Sequence, residues 1–99
     1  MYAGVVRYKI KKGMMNEAIG CWRDNVLPEA SKQQGFVDAN LFINRDESHA
    51  FDIGRWASRE DCENYEVLGL FQLVFDQMRE YLVEPPQREI YEIFDGKSE

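Results

Sequence analysis

Asp52 and Trp56 are the residues of this chain whose types and spacing could support chemistry. They stand four positions apart in the stretch Phe51–Trp56, and because strand side chains alternate, both would project from one face of a strand. A carboxylate can take up and return a proton, whereas an indole offers a broad apolar wall with a single N–H donor. Gly54 lies between them and has no side chain, which leaves space over the strand. The spacing therefore indicates a small pocket beside an acid–base group.

The elements that must position this pair follow a β-α-β-β-α-β order. Alternating apolar residues predict strands over residues 3–10, 36–44, 49–56 and 89–94. Apolar residues at three- and four-residue steps predict two helical regions between them. The first carries Met15, Ala18, Ile19, Trp22, Val26 and Ala30, and the second carries Leu68, Phe71, Phe75, Met78 and Leu82.

With right-handed crossovers, this order predicts an α+β fold, a ferredoxin-like antiparallel sheet with its helices on one face. The length predicts a single domain over residues 1–99 that ends in a polar tail at 95–99. Proline lacks a backbone N–H, so Pro28 predicts a kink or restart in the first helix near residues 25–27. Gly35 can take the left-handed conformation that ends a helix.

The hairpin between the second and third strands decides which side chains share a face. If the loop of residues 45–48 sets the register, the cross-strand pairs are Leu41 with Asp52, Ala39 with Gly54 and Val37 with Trp56. Face one then comprises Val37, Ala39, Leu41, Ile43, Ala50, Asp52, Gly54 and Trp56. Face two comprises Asp38, Asn40, Phe42, Asn44, His49, Phe51, Ile53 and Arg55.

Face one is apolar except for Asp52, so it should meet the helices. Ala39, Ala50 and Gly54 are small and leave space between sheet and helix, which either a large side chain or a ligand must fill. The aromatic helix residues that could fill this space, or contact a ligand there, are Trp22, Phe71 and Phe75. Both alternatives stay open from the sequence.

Face two mixes apolar side chains with a predicted ion pair. Phe42, Phe51 and Ile53 lie on it beside Asp38, which would pair with Arg55 across the strands. An exposed face of this kind needs a cover, and a second copy of the chain is the simplest one. We therefore predict a homodimer through this sheet face.

Composition excludes several classes of protein. The formal net charge of −6 disfavours binding to nucleic acid. No apolar run approaches the ~20 residues that span a bilayer, and the N-terminus lacks a secretory signal pattern. Cys21 and Cys62 stand alone and His49 is the only histidine, so no metal-ligand set is recognisable. We expect a cytoplasmic protein with two free thiols, no metal and no membrane association.

Short motifs spread over nearly the whole chain carry a family resemblance. They are Lys11-Lys12-Gly13 after the first strand, Leu27-Pro28, Gln34-Gly35-Phe36, and Trp56-x-Ser58-x-Glu60 after the third strand. In order and spacing the chain resembles the antibiotic-biosynthesis-monooxygenase family of dimeric α+β barrels. The resemblance implies a ferredoxin-like monomer whose sheets pair into a barrel. It also implies, for some members, oxygenation of polycyclic phenols or quinols without metal or flavin, whereas other members degrade heme.

The same resemblance suggests roles for individual residues. Members that oxidise aromatics use the Trp at the end of strand three as part of the pocket, which here is Trp56. A polar residue four positions earlier, often Asn, also lines that pocket, and here it is Asp52. Tyr65 lies where related sequences often have a His, and it could donate a hydrogen bond to substrate. The heme-degrading members use a His in the late helix and an Asn on strand one, and this chain has neither.

Two functions follow from these observations. The first is a cofactor-independent monooxygenase acting on an aromatic, phenolic or quinol-like small molecule, with Asp52 and Trp56 as catalytic residues. Its substrate-binding residues would be Trp22, Tyr65, Phe71 and Phe75. The second is a non-catalytic dimeric barrel that binds a small ligand or serves as a partner module. In that case Asp52 is a buried, hydrogen-bonded structural carboxylate and Trp56 a core residue.

Overall fold

The computed structural model describes residues 1–96. The strands are β1 (Tyr2–Lys9), β2 (Phe36–Asn44), β3 (His49–Trp56) and β4 (Gln87–Glu92). The helices are α1 (Met15–Cys21), α2 (Leu27–Ser31), α3 (Arg59–Val67) and α4 (Leu70–Met78). A π-helical segment, Trp22–Val26, joins α1 to α2, and a 3-10 turn, Arg79–Tyr81, follows α4. Of the tail predicted at residues 95–99, only the first two residues are among those described.

The strands form one antiparallel sheet in the order β2-β3-β1-β4. The two central strands, β1 and β3, pair along their whole lengths, from Tyr2 opposite Trp56 to Lys9 opposite His49. The α+β, ferredoxin-like prediction is thereby confirmed. The last strand begins and ends two residues earlier than predicted, at Gln87 and Glu92, and Gln87 pairs with Arg7 of β1.

The β2–β3 hairpin has the predicted register at its centre and differs at its far end. In the β2–β3 ladder Leu41 pairs with Asp52 and Ala39 pairs with Gly54, as predicted. The predicted pairing of Val37 with Trp56 is wrong, because the register shifts between Phe36 and Asp38. A bulge leaves an extra residue without a partner across the ladder.

The physical reason for this bulge lies in the aromatic residue beside it. Phe36, not Val37, faces Trp56, and the two rings meet edge-to-face with centroids 5.4 Å apart. Val37 is 43% exposed. The larger ring therefore takes the buried position, and the smaller side chain turns to solvent.

The first helical region is interrupted where Pro28 predicts a restart. The backbone winds as a π-helix over Trp22–Val26 and returns to an α-helix at Leu27, with Pro28 in the first turn of α2. A proline is tolerated there because the first N–H groups of a helix have no intrahelical acceptor. Gly35 has φ of +82°, but α2 already ends at Ser31, with Lys32 as its C-cap. The predicted helix-ending role of Gly35 is therefore wrong, and its left-handed conformation belongs to the turn before β2.

The apolar stripe of the second helical region differs from the predicted one. Val74 and Met78 are the buried residues of α4, whereas Leu68 is 66% exposed. Gly69 separates α3 from α4, so a periodicity counted through that break assigns the wrong face to Leu68. Phe71 and Phe75 are half-buried at the edge of the core.

The helices cover face one, where the core lies, and leave face two uncovered. Ala50, Asp52, Gly54 and Trp56 alternate as buried residues along β3. On face two, Phe42 stacks on Phe51 with centroids 5.1 Å apart and is 46% exposed. Within residues 1–96, no helix has both the length and the apolar character needed to cross a membrane.

Candidate functional site

Asp52 is the buried carboxylate of the helix-covered sheet face. It lies in the middle of β3, between Val6 on β1 and Leu41 on β2, and is 8% exposed. Its Oδ2 accepts a hydrogen bond of 2.6 Å from the Tyr8 hydroxyl and one of 2.9 Å from the Trp22 indole Nε1. Two aromatic donors from β1 and from the π-helical segment thus hold one carboxylate oxygen in place.

The pKa of Asp52 reflects competition between burial and these donors. Burial raises it from 3.8 to about 6, because a charged carboxylate loses its hydration in the core. The hydrogen bonds from Tyr8 and Trp22 lower it, and so does the positive charge of Arg88. Burial, followed by the charge of Asp52, raises the pKa of Tyr8 well above its usual value, so this hydroxyl stays a donor. A carboxyl that titrates near neutral pH suits reversible proton transfer.

Arg88 is the cation of this site, and sequence reasoning missed it. It lies on β4 opposite Val6, and its side chain is only 2% exposed. Its Nη2 donates to the carbonyl oxygen of Cys62 at 2.8 Å, and its guanidinium lies 5.3 Å from the centroid of the Tyr65 ring. Arg88 lies two residues before the inward-facing Ile90, so strand alternation could have assigned it to the buried face. The predicted strand, however, began one residue after Arg88.

Gly4 makes room for this cation on the sheet surface. A Cβ at position 4 would lie 2.7 Å from Arg88 Nη2 and 3.3 Å from its Cζ. Real side chains essentially never approach so closely, so a larger residue would push the guanidinium aside. The glycine on β1 therefore lets Arg88 lie flat over the strand.

A cavity lies between face one and the helices at this point. Its volume is about 30 Å³, which is space for about one or two water molecules. Its polar lining residues include Asp52, Tyr8 and Arg88. Its remaining lining residues are Gly4, Val6, Trp22, Val26, Leu27, Ala30, Phe36, Ala39, Gly54, Trp56, Tyr65 and Val74.

A second and larger cavity adjoins the first. It has a volume of about 170 Å³ and lies between the first helical region and α3–α4. The two cavities share the lining residues Val26, Tyr65 and Val74. Asn25, Glu29 and Gln77 are among its other lining residues, so its outer part is polar.

The structure brings four of the six predicted site residues together. Asp52, Trp56, Trp22 and Tyr65 all line the smaller cavity. The Trp56 indole is 3% exposed and contacts the Tyr65 ring, with centroids 5.6 Å apart. The two indoles and the phenol thus form an aromatic wall beside the carboxylate.

Phe71 and Phe75 lie elsewhere. Neither is among the described residues that line either cavity. Phe75 instead carries the Arg79 guanidinium over its ring, 4.6 Å from the centroid. Val74 and Leu70 take the inner positions of α4, because the helix restarts after Gly69. Over residues 1–96 there is no group of three His, Cys, Asp or Glu side chains placed to hold a metal ion.

Comparison with known proteins finds likeness in structure only. No family model and no curated protein matches the chain. SnoaB, a cofactor-independent oxygenase from Streptomyces nogalater, superposes with a TM-score of 0.77 over 99% of this chain and 97% of its own, at 15% identity. The monooxygenase ActVA-Orf6 of Streptomyces coelicolor, solved in complex with nanaomycin D, gives 0.73 over 99% and 91%, at 12% identity.

A further solved structure, described as an antibiotic biosynthesis monooxygenase, has a TM-score of 0.73, covers 96% of this chain and all of its own, and is 11% identical. At such identities the likeness establishes the fold. The predicted resemblance to the antibiotic-biosynthesis-monooxygenase family is therefore confirmed at the level of the fold.

Proposed function

We propose that this chain is a cofactor-independent monooxygenase that oxidises a phenolic or quinol-like small molecule in the space between sheet and helices. One observation carries the proposal: Asp52 is a buried carboxylate with a pKa of about 6, held by two donors and lining a cavity with aromatic walls. The fold shared with SnoaB, a cofactor-independent oxygenase, supports it. The proposal treats the chain as one cytoplasmic domain, in which Cys21 and Cys62 remain free thiols.

In the proposed reaction, Asp52 accepts the proton of the substrate hydroxyl. The resulting phenolate transfers an electron to molecular oxygen, and the two radicals combine to form a C–O bond at a ring carbon. The peroxide takes the proton back from Asp52. Asp52 then removes the hydrogen from that ring carbon as the O–O bond breaks. One oxygen atom remains as the quinone carbonyl, and the other leaves with two hydrogens as water.

The aromatic residues around Asp52 position the ring in this proposal. Trp56 and Trp22 offer flat apolar surfaces, and Tyr65 offers a hydroxyl donor at the wall between the two cavities. The adjoining cavity of about 170 Å³ is comparable to the roughly 150 Å³ engineered cavity that binds benzene. A single aromatic ring therefore fits in the larger cavity, with its hydroxyl directed past Tyr65 towards Asp52.

The second candidate function is a non-catalytic dimeric barrel that binds a small ligand. The small volume of the inner cavity favours it, because about 30 Å³ admits water but no ring without movement of a lining side chain. In this case the bonds from Tyr8 and Trp22 only stabilise Asp52 in the core.

Both candidates include a homodimer through face two. Phe42 and Phe51 form an exposed apolar pair there, beside the Arg55–Asp38 ion pair with Nε to Oδ1 at 2.8 Å. A second copy would cover these rings and leave the cavity, on the opposite side of the sheet, accessible.

Oxygen uptake with a panel of phenols, hydroquinones and naphthols tests the proposed function. We expect uptake with at least one of them, a quinone as product, and a loss of at least about 100-fold in kcat/KM in Asp52→Asn, as for a lost general base. Asp38→Asn, a change of the same kind on face two, should retain full activity. Ligand binding without uptake across the panel would instead support the non-catalytic alternative.

A further inference from the structure

Arg88 presents an incompletely satisfied positive charge next to the cavity. Its Nη2 donates a hydrogen bond to the carbonyl oxygen of Cys62, but its buried Nη1 has no hydrogen-bond acceptor within residues 1–96. The nearest carboxylate oxygen, Glu66 Oε1, lies 3.7 Å from Nη1, which is too far for a hydrogen bond. Glu66 is also 55% exposed, so water weakens this pair. A buried donor without an acceptor is costly and is commonly satisfied by a ligand or by water.

Two residues from other elements of the fold accommodate the Arg88 guanidinium. Gly4 leaves the sheet surface bare beneath the guanidinium, and Tyr65 stacks over it. Guanidinium groups bind carboxylates and phenolates in a planar, directional way, which suits recognition in a pocket. Asp52 is the other charged residue lining the cavity. Its Oδ2 accepts hydrogen bonds from Tyr8 and Trp22 and makes none with Arg88.

We propose that Arg88 binds an anionic oxygen of the ligand, so that this site takes a negatively charged aromatic molecule, a ring with a carboxylate or an ionised phenol. This inference rests on the proposed function, because it places the ligand in the same space between sheet and helices. Arg88 acts as a specificity-determining residue that fixes the charged end of the ring. Asp52 remains the group that exchanges protons with the substrate.

Isothermal titration calorimetry with benzoate and its neutral analogue benzamide tests the assignment. We expect the wild-type protein to prefer benzoate by at least about tenfold, the effect of one charge-assisted hydrogen bond. Arg88→Met should abolish the preference, because benzoate then loses the positively charged donor that distinguishes it from benzamide. Arg59→Met, which removes an exposed arginine of α3, controls for the change in net charge and should retain the preference.

Glu66→Gln keeps the test decisive if Arg88→Met does not fold. Glu66 is the nearest competitor for Nη1 and is exposed, so its replacement should not disturb folding. Removal of its charge should strengthen benzoate binding several-fold and leave benzamide unaffected. Unchanged benzoate affinity in this variant, or equal binding of benzoate and benzamide by the wild-type protein, would overturn the assignment.

Replacement of benzoate by 4-nitrophenol, above and below the pKa of that phenol, separates the two sources of negative charge. Preference for the ionised phenol alone identifies a phenolate site, and preference for benzoate identifies a carboxylate site. The result is independent of catalysis. Benzoate binding that depends on Arg88 in a protein without oxygen uptake would refute the oxygenase proposal and retain this one.

Discussion

Replacement of Asp52 by Asn should change how the stability of the protein depends on pH. The pKa of Asp52 rises from 3.8 to about 6 on folding. The folded protein therefore binds the proton more tightly than the unfolded chain does. The stabilisation from this group is fully present below pH 3.8 and is lost as pH rises through 6.

The size of the effect follows from the shift. A rise of about two pKa units corresponds to about 3 kcal/mol, since each unit is about 1.4 kcal/mol. The amide of Asn has nearly the shape of the carboxylate and does not titrate. Its oxygen can accept the bonds that Tyr8 and Trp22 now donate to Oδ2. The variant should therefore gain about 3 kcal/mol relative to the wild-type protein between pH 4 and pH 8.

Urea unfolding of both proteins at several pH values between 4 and 8 measures this difference. The other carboxylates titrate alike in the two proteins and largely cancel. Asp38→Asn provides a control of opposite sign, because Arg55 lowers the pKa of the exposed Asp38. Its stabilisation is lost as pH falls, and the effect should be small because the pair is exposed. A flat difference for Asp52→Asn, or one in which the wild-type protein gains on raising the pH, would refute the burial argument.

Four further substitutions test other features of the structure. Tyr8→Phe removes a donor to Asp52, so the pKa of Asp52 should rise above 6, and the pH midpoint of oxygen uptake should move upwards with it. Gly35→Ala should destabilise the fold by about 3 kcal/mol in urea unfolding, because a left-handed φ and an overpacked contact add. Gly13→Ala, with φ of +83° but nothing within 4 Å, should cost only about 1 kcal/mol. Phe42→Glu should convert a dimer to a monomer in light scattering without loss of secondary structure, and a wild-type monomer would exclude the proposed interface.

Local patterns were sufficient to predict the centre of the sheet. The hairpin loop of residues 45–48 lies where polar residues separate two alternating segments, and the register that follows assigns Asp52 to the buried face. A slip of one residue in the register would move Asp52 to the other face. The prediction that Asp52 is buried therefore depended on the length of this loop. The restart at Pro28 was likewise predictable, since it follows from a missing backbone N–H.

The errors arose where tertiary contacts decide the outcome. The bulge after Phe36 exists because a ring packs against Trp56, and no local pattern distinguishes Phe36 from Val37 as the buried residue. The buried face of α4 depends on the break between α3 and α4 at Gly69. The spacing of the apolar residues does not reveal this break. Arg88 was missed because the predicted last strand began one residue after it, and because arginine side chains are mostly exposed. Its burial depends on Gly4, a residue 84 positions away in sequence.

The two charged groups of the cavity should also be linked through the ligand. The charge of Arg88 now helps to keep the pKa of Asp52 down. An anion bound to Arg88 would neutralise that charge, so the pKa of Asp52 should rise when the ligand binds, making Asp52 a stronger base in the complex. Benzoate binding should therefore take up protons near pH 6 and weaken as pH rises above it. Calorimetry in buffers of different ionisation enthalpy measures this uptake, which should vanish in Asp52→Asn. Proton uptake that persists in that variant would place the coupled group elsewhere.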